Sequence, residues 1–426
     1  MEGCPGLDHR AKASVMTEAS VTPIVTPTVS GAVSPLLELP GAVQAQGADA
    51  GVAAHYGNPM IEQRSLLAGT AIVDLSQRGV LSVSGPDRLT WLNSIASQEV
   101  RSLAPGVATE MLLLDPSGHL EYAMRVLDDG VETWLLVEAA ELPGLQAWLD
   151  RMKFMLRVQI VDHTLAYATI GTMASAPLAV GLEPAAPNGV PLAWLDPWTG
   201  VTAGGYQYAE AATHPGTSWH YTEVLVPRDS LAALRDSIAA GTLTHEAPVV
   251  PAGLLALEAL RIAAWRPRRA MEVDDKTLPH ELDWLRTAVH LSKGCYRGQE
   301  TVAKVHNLGH PPRRLVMLHL DGSEGVLPVH GDPVQADKLR PEGEAERVVV
   351  GQITSSAIHY ELGPIALAVI KRTVPATSTL YVESQYADSQ NVTQTVSISA
   401  SQEVIVPQSA GSVADIPRLP RLGVRR

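Results

Sequence analysis

The chain has 426 residues, 46% of them hydrophobic, which exceeds one ordinary domain and is enough for a large core. Its 45 Asp and Glu outnumber its 32 Lys and Arg, giving a formal net charge of −13 at pH 7, so broad binding along a nucleic-acid backbone is not expected. No apolar run approaches the roughly 18 to 20 residues of a membrane span, and Met1 to Val33, broken by Pro5, Pro23 and Pro27, lacks the apolar stretch of a secretory signal. Two cysteines, Cys4 and Cys295, cannot build a disulfide framework. The expectation is a cytoplasmic protein in a reducing compartment, with neither membrane nor direct nucleic-acid partner.

In chain order, residues 1–33 lack periodicity and read as a disordered tail, within which Met16 is a second candidate start. Order is expected from Ser34, with Tyr56-Gly-Asn-Pro as a turn into the core. Ala71–Leu75 and Val80–Val83 read as short strands, and Leu89, Leu92 and Ile95 recur at helical spacing. Met111–Leu114, a Pro116-Ser117-Gly118 turn and Leu120–Leu127 follow as strand, turn and strand. Asp128-Asp129-Gly130 is a hairpin signal into Val131–Val137. Leu145, Trp148, Leu149 and Met152 mark a helix face before strands near Val158–Val161 and Leu165–Ile170. This mixing without regular βαβ alternation gives an α+β class.

From about Ala174 to Glu246, recurrent Pro and Gly leave only a strand near Tyr221–Val226 and a helix near Leu231–Ala240 legible. Leu254–Ala264 reads as a buried helix. Beyond Gly309, Leu315–Leu320, Val348–Thr354 and Ile365–Ile370 are strands of a small β-barrel or sandwich, with Val404–Val406 as its last strand. The expected division is a two-module α+β region over 34–307, a β-barrel over 308–407 and a loose tail over 408–426.

Chemistry concentrates in Lys293-Gly-Cys-Tyr-Arg-Gly-Gln-Glu300. Gly294 and Gly298 permit positive φ or close backbone approach. Lys293 and Arg297 would favour a thiolate at Cys295, and a helix starting within Gly298–Glu300 would add its free amides. The sequence leaves open a reactive or metal-seeking thiolate and an inert cysteine. The cluster Arg261, Arg266, Arg268 and Arg269 reads as a solvated face, and Glu121, Asp128 and Asp129 as exposed strand and hairpin-loop acids. The sequence has no HExxH, paired CxxC, phosphate loop or Gly-x-Ser-x-Gly, so no dedicated metal site, nucleotide chemistry or common hydrolase is expected.

The octapeptide resembles the Lys-Gly-Cys-[Phe/Tyr]-x-Gly-Gln-Glu signature of YgfZ-type folate-binding proteins, relatives of the glycine-cleavage T-protein (aminomethyltransferase). Asp74-Leu-Ser, Val83-Ser-Gly-Pro-Asp87, Leu112–His119, Arg261–Pro267, Leu278-Pro-His-Glu281 and Gly351–Ser355 fall in the family's order. The resemblance implies three modules around a central opening for tetrahydrofolate, the last a small β-barrel. It also implies support of iron–sulfur cluster assembly or repair in client enzymes, including tRNA-modifying ones. On that reading Cys295, Lys293 and Arg297 carry the chemistry, while Glu121, Tyr122, Arg261, Tyr296, Gln299, Glu300 and Arg313 are the candidate folate contacts. The alternatives are a folate-dependent aminomethyl or one-carbon transferase and a folate-binding scaffold with an inert cysteine. Glu121-Tyr122 stands where aminomethyltransferases carry adjacent aspartates, and Ala263 where many relatives carry a glutamate, so glycine-cleavage activity itself is not expected.

Overall fold

A computed structural model describes residues 33–243, 248–339, 345–387 and 392–414. The expected N-terminal tail before Val33, with Cys4 and Met16, and the end of the chain after Ala414 lie outside the described residues.

A short pair, β1 (Val43–Gln44) and β2 (Ala53–His55), precedes helix α1 (Pro59–Leu67). The Tyr56-Gly-Asn-Pro turn works as a helix start: Asn58 Oδ1 accepts from the amides of Met60 and Ile61 at 3.0 and 3.3 Å, and Pro59 sits where no amide partner is needed.

The first large sheet contains β4 (Gly79–Ser84), β5 (Ala108–Leu114), β6 (Leu120–Asp128), β7 (Glu132–Val137) and β8 (Gln159–Asp162), ordered β5-β6-β7-β4-β8 and antiparallel throughout. Strand alternation sends its side chains to two cores. Leu81, Val83, Met111, Leu113, Leu135 and Val137 meet helices α2 (Arg88–Ile95) and α3 (Leu142–Met152) through Trp91, Leu92, Leu145 and Leu149. Val80, Trp134 and Leu136 point the other way, toward Leu225.

The second sheet joins β3 (Ala71–Asp74), β9 (Tyr167–Thr172), β10 (Ala193–Leu195), β11 (Thr222–Pro227) and β12 (Val250–Ala252) in the order β10-β11-β9-β3-β12, only β12 pairing in parallel. Helix α4 (Leu231–Ala239) follows β11. Helix α5 (Leu254–Ala263) is buried almost all round, as its apolar run requires. Short helices α6 (Arg269–Glu272) and α7 (Leu285–Ala288) lead to α8 (Gln299–Leu308).

The last strands close into a six-stranded barrel, the C-terminal barrel expected from the sequence. They are β13 (Arg313–Leu320), β14 (Pro333–Leu339), β15 (Ala345–His359), β16 (Gly363–Lys371), β17 (Leu380–Ala387) and β18 (Thr393–Val404), ordered β13-β16-β15-β14-β17-β18. Val316, Leu318, Ile353, Ala368 and Ile370 fill its interior, while Leu315, Met317, Leu367 and Val369 face the core around α5. Among the described residues, no helix is long and apolar enough to cross a membrane.

Candidate functional site

The octapeptide loop is fixed by two glycines 180 positions apart. Gly298 has φ +83, and a Cβ there would stand 2.6 Å from the Asp115 carbonyl oxygen and 3.0 Å from Gly118 Cα. Gly118 has φ +85, and its Cβ would meet Thr301 at 2.8 Å. The Pro116-Ser117-Gly118 turn therefore docks backbone to backbone against the start of α8, an approach that side chains would block. The helix begins where the sequence placed it, with Gly298 as its left-handed cap. Arg297 clamps the same junction, donating to Glu121 at 2.6 and 3.4 Å, and lies 5.9 Å from the Trp148 ring centroid on α3. Gln299 Nε2 donates to the Lys293 carbonyl at 3.3 Å, folding the octapeptide back on itself.

Lys293 has a task other than supporting a thiolate. Its ammonium donates to the carbonyls of Asn93, Ala96 and Gln98 at 2.7, 2.7 and 2.6 Å, so all its donors go to the end of α2 and the segment after it. Burial pushes its pKa down to about 8. Cys295 is exposed and free. Tyr296 is buried beneath Lys293, whose Nζ lies 5.3 Å from its ring centroid. Glu300 stands in the first turn of α8, where its charge complements the helix dipole.

The remaining candidate folate contacts lie elsewhere. Tyr122 is half-buried against the core under α3. Arg313 pairs with Asp274 and Glu281 at 2.6 and 2.7 Å. Arg261 is buried on α5 and spends its guanidinium on Glu258, Glu272, the Arg266 carbonyl and Ser355 Oγ on β15, locking helix to barrel.

Three of the four arginines read as a solvated face belong to a buried network, whereas Arg269 is about one-third exposed and pairs with Glu141 at 3.0 Å. Arg261, Arg266 and Arg268 are each about 5% exposed or less. Arg266 donates to Glu110 at 2.7 and 3.2 Å and to Asp196 at 3.0 Å, with the Trp198 and Trp284 rings 5.0 and 5.7 Å from its Cζ. Arg268 forks onto Glu138 and Asp49 at 2.8 to 3.0 Å. Asp128 and Asp129 are buried too: the first takes Arg88 bidentately at 2.9 and 3.0 Å, the second the Trp134 indole at 2.8 Å. These two acids hold the hairpin.

Lining one small cavity with Arg261, Arg266 and Arg268 stands Glu223 on β11, which the sequence reading passed over. Its Oε1 receives Arg78, Arg125 Nε at 3.2 Å and the Tyr221 hydroxyl at 3.1 Å, while its buried Oε2 has no partner among the described residues. Burial opposes its charge, but Arg125 and Arg78 outweigh that and hold the carboxyl below its ordinary pKa. Nearby Asp196 is pushed up by burial despite Arg266. The signal in the sequence was period two in Tyr221–Leu225: Thr222 and Val224 take one face, Tyr221 and Glu223 the other, so a carboxylate points inward from a buried strand.

Two small adjoining cavities open here, about 30 Å³ beside Arg78, Trp219, Tyr221 and Glu223 and about 20 Å³ beside Glu110, Arg125 and Trp284. The donor set suits a flat heteroaromatic ring with an amino edge: an unpartnered carboxylate oxygen with indole and phenol walls. The room is that of a water molecule or two, far below the roughly 300 Å³ at the low end of ligand sites. A folate ring therefore matches this site in chemistry and enters only if the arginines part.

No protein-family model matches the chain. The aminomethyltransferase of Nostoc sp. is 26% identical over 321 residues, spanning 72% of this chain and 79% of that protein. The aminomethyltransferase of Symbiobacterium thermophilum is 26% identical over 325 residues, spanning 74% and 82%. Glycine cleavage system aminomethyltransferase T from Bartonella henselae has the same fold, with a TM-score of 0.63 at 16% identity over 88% of this chain and 97% of that one. The chain is aminomethyltransferase-like. Its α+β sheets and terminal barrel are thus a shared architecture.

Proposed function

We propose that this aminomethyltransferase-like chain binds tetrahydrofolate in the central cluster and serves a folate-dependent one-carbon transfer. The observation that carries the reading is Glu223, whose unpartnered, buried Oε2 is the acceptor a pterin's amino edge requires, beside Tyr221 and Trp219. When bound, tetrahydrofolate would supply the nitrogen that accepts a one-carbon unit. Glu223 would read the ring, and Arg125 and Arg78 would keep Glu223 ionised. The reading is tested by incubating the full chain with tetrahydrofolate and aminomethylated carrier proteins. Steady formation of methylene-tetrahydrofolate that falls at least tenfold in Glu223→Gln supports transfer; no turnover with any donor contradicts it.

A second reading follows the YgfZ-type resemblance of the octapeptide: a folate-binding accessory protein for iron–sulfur enzymes. Exposed, free Cys295 favours it, since soft thiolates are the usual cluster ligands. Among the described residues no group of three metal-ligating side chains gathers, so Cys295 would meet iron or a thiol held by a client or assembly protein. Under this reading Cys295→Ala folds normally yet fails to restore cluster-enzyme activity to a deletion strain, whereas full restoration removes it.

A further inference from the structure

Beside the octapeptide lies a cleft of about 360 Å³ that neither reading uses. Its floor is one face of α8. Gln299, Ala303 and His306 line it at i, i+4 and i+7, a spacing that stacks them along about 10 Å of helix axis. Its opposite wall includes Gly204, Leu291 and Ser292. That wall is pinned: the Leu291 amide donates to the Gly204 carbonyl at 2.8 Å, the Gly205 amide to Thr202 at 2.9 Å, and Gly204 holds φ +73 against the His290 ring.

Two polar groups face the cleft with capacity to spare. His306 is 8% exposed, and its Nδ1 is 2.9 Å from the Tyr208 hydroxyl. Burial raises the Tyr208 pKa and lowers that of His306, so both groups are neutral, and the peptide contact proposed for this cleft uses the tautomer in which the phenol donates to Nδ1. The ring proton is then on Nε2, for which no described residue supplies a bond. Gln299 spends its Nε2 on the Lys293 carbonyl, which leaves Oε1 as an acceptor. Among the described residues no Lys, Arg, Asp or Glu lines the cleft, in contrast to the charge-filled central cluster.

We propose that this cleft binds an extended, uncharged peptide segment of a partner protein, with a backbone carbonyl accepting from His306 Nε2–H and a backbone amide donating to Gln299 Oε1. Extended chain rises about 3.3 Å per residue, so about three residues match the spacing of the two groups. A small rigid amide reaches one group and not both, and a charged segment would lose hydration without a counter-charge.

The test is saturation-transfer NMR on the full chain with N-acetyl-trialanine amide as probe, beside the same peptide carrying a central Asp. The expected result is saturable binding with a Kd of about 1 mM, at least tenfold weaker for the Asp peptide. Ala303→Leu, an exchange the exposed helix surface tolerates, fills the floor and weakens binding at least tenfold, as does His306→Phe. No saturation transfer to the neutral peptide, equal binding of the Asp peptide, or undiminished binding by Ala303→Leu would each overturn the proposal. None of these readouts depends on folate, so its failure is distinct from failure of the one-carbon reading.

Discussion

The octapeptide loop and the central cluster use similar cations in opposite ways. In the loop, Arg297 and Glu121 form a pair about one-third exposed at a junction otherwise made by glycine backbones, and Cys295 faces solvent. In the cluster, Arg266 and Arg268 are enclosed with three or more carboxylate oxygens each, and slack remains at two neighbouring buried atoms, Glu223 Oε2 and Arg78 Nε, neither partnered among the described residues. The loop is shaped by backbone approach and by buried Lys293, and tolerates change at its more exposed side chains, Cys295 and Arg297. The cluster is shaped by side chains and tolerates little, because removing one buried charge strands its partners.

Arg268→Met breaks the comparison most sharply. It leaves Glu138 and Asp49 without their shared fork and should cost about 3–5 kcal/mol in a denaturant titration. A loss below about 1 kcal/mol would return the arginines to the solvated role first expected of them.

Acid should act next. Burial holds buried His280 at a pKa of about 3, against 6.5 for the free side chain, while its Nε2 bonds the Val302 carbonyl at 3.0 Å beneath α8. Between those values the unfolded chain takes up a proton that the folded chain refuses. Stability is therefore present above pH 6.5 and falls as pH drops, by about 2 kcal/mol for this group at pH 5. Melting curves of His280→Phe should show a correspondingly flatter acid limb, and an unchanged slope would count against the assignment.

Gly298→Ala forces a side chain into the left-handed region and against the Asp115 carbonyl, at a cost of roughly 1–2 kcal/mol. A neutral result by calorimetry would mean that the turn and α8 do not meet as closely as described. The smallest effects belong to the loop's more exposed side chains: Arg297→Gln should cost about 0.5 kcal/mol and Cys295→Ala about as little. A large loss from either would make the loop a packed element like the cluster.

Much of the fold was readable because period-two and helical patterns recur between turn residues. Ala71–Asp74, Leu120–Asp128 and the buried helix at Leu254 have near neighbours that dictate their form. Strands β14 and β17 went unread: β14 alternates Val334 and Ala336 with Gln335 and Asp337 but opens on Pro333, which weakens a strand reading, and in β17 Leu380 and Val382 precede a run of polar residues. The octapeptide was legible as a structured loop because its glycines and ions adjoin in sequence. The cluster was not: Arg268 finds Glu138 and Asp49 across 130 and 219 residues, distances over which composition suggests only surface. Lys293 was misjudged for the same reason, its three carbonyl partners lying about 200 residues earlier.

The proposed pterin contact at Glu223 is open to tryptophan fluorescence, because Trp194, Trp198, Trp219 and Trp284 contact the cluster's arginines or carboxylates. Titration with tetrahydrofolate should quench the wild-type signal saturably and require at least tenfold more ligand in Glu223→Gln, the equivalent of about 1.4 kcal/mol or more. Equal affinity of the two proteins, or no saturable change at millimolar ligand, would contradict it.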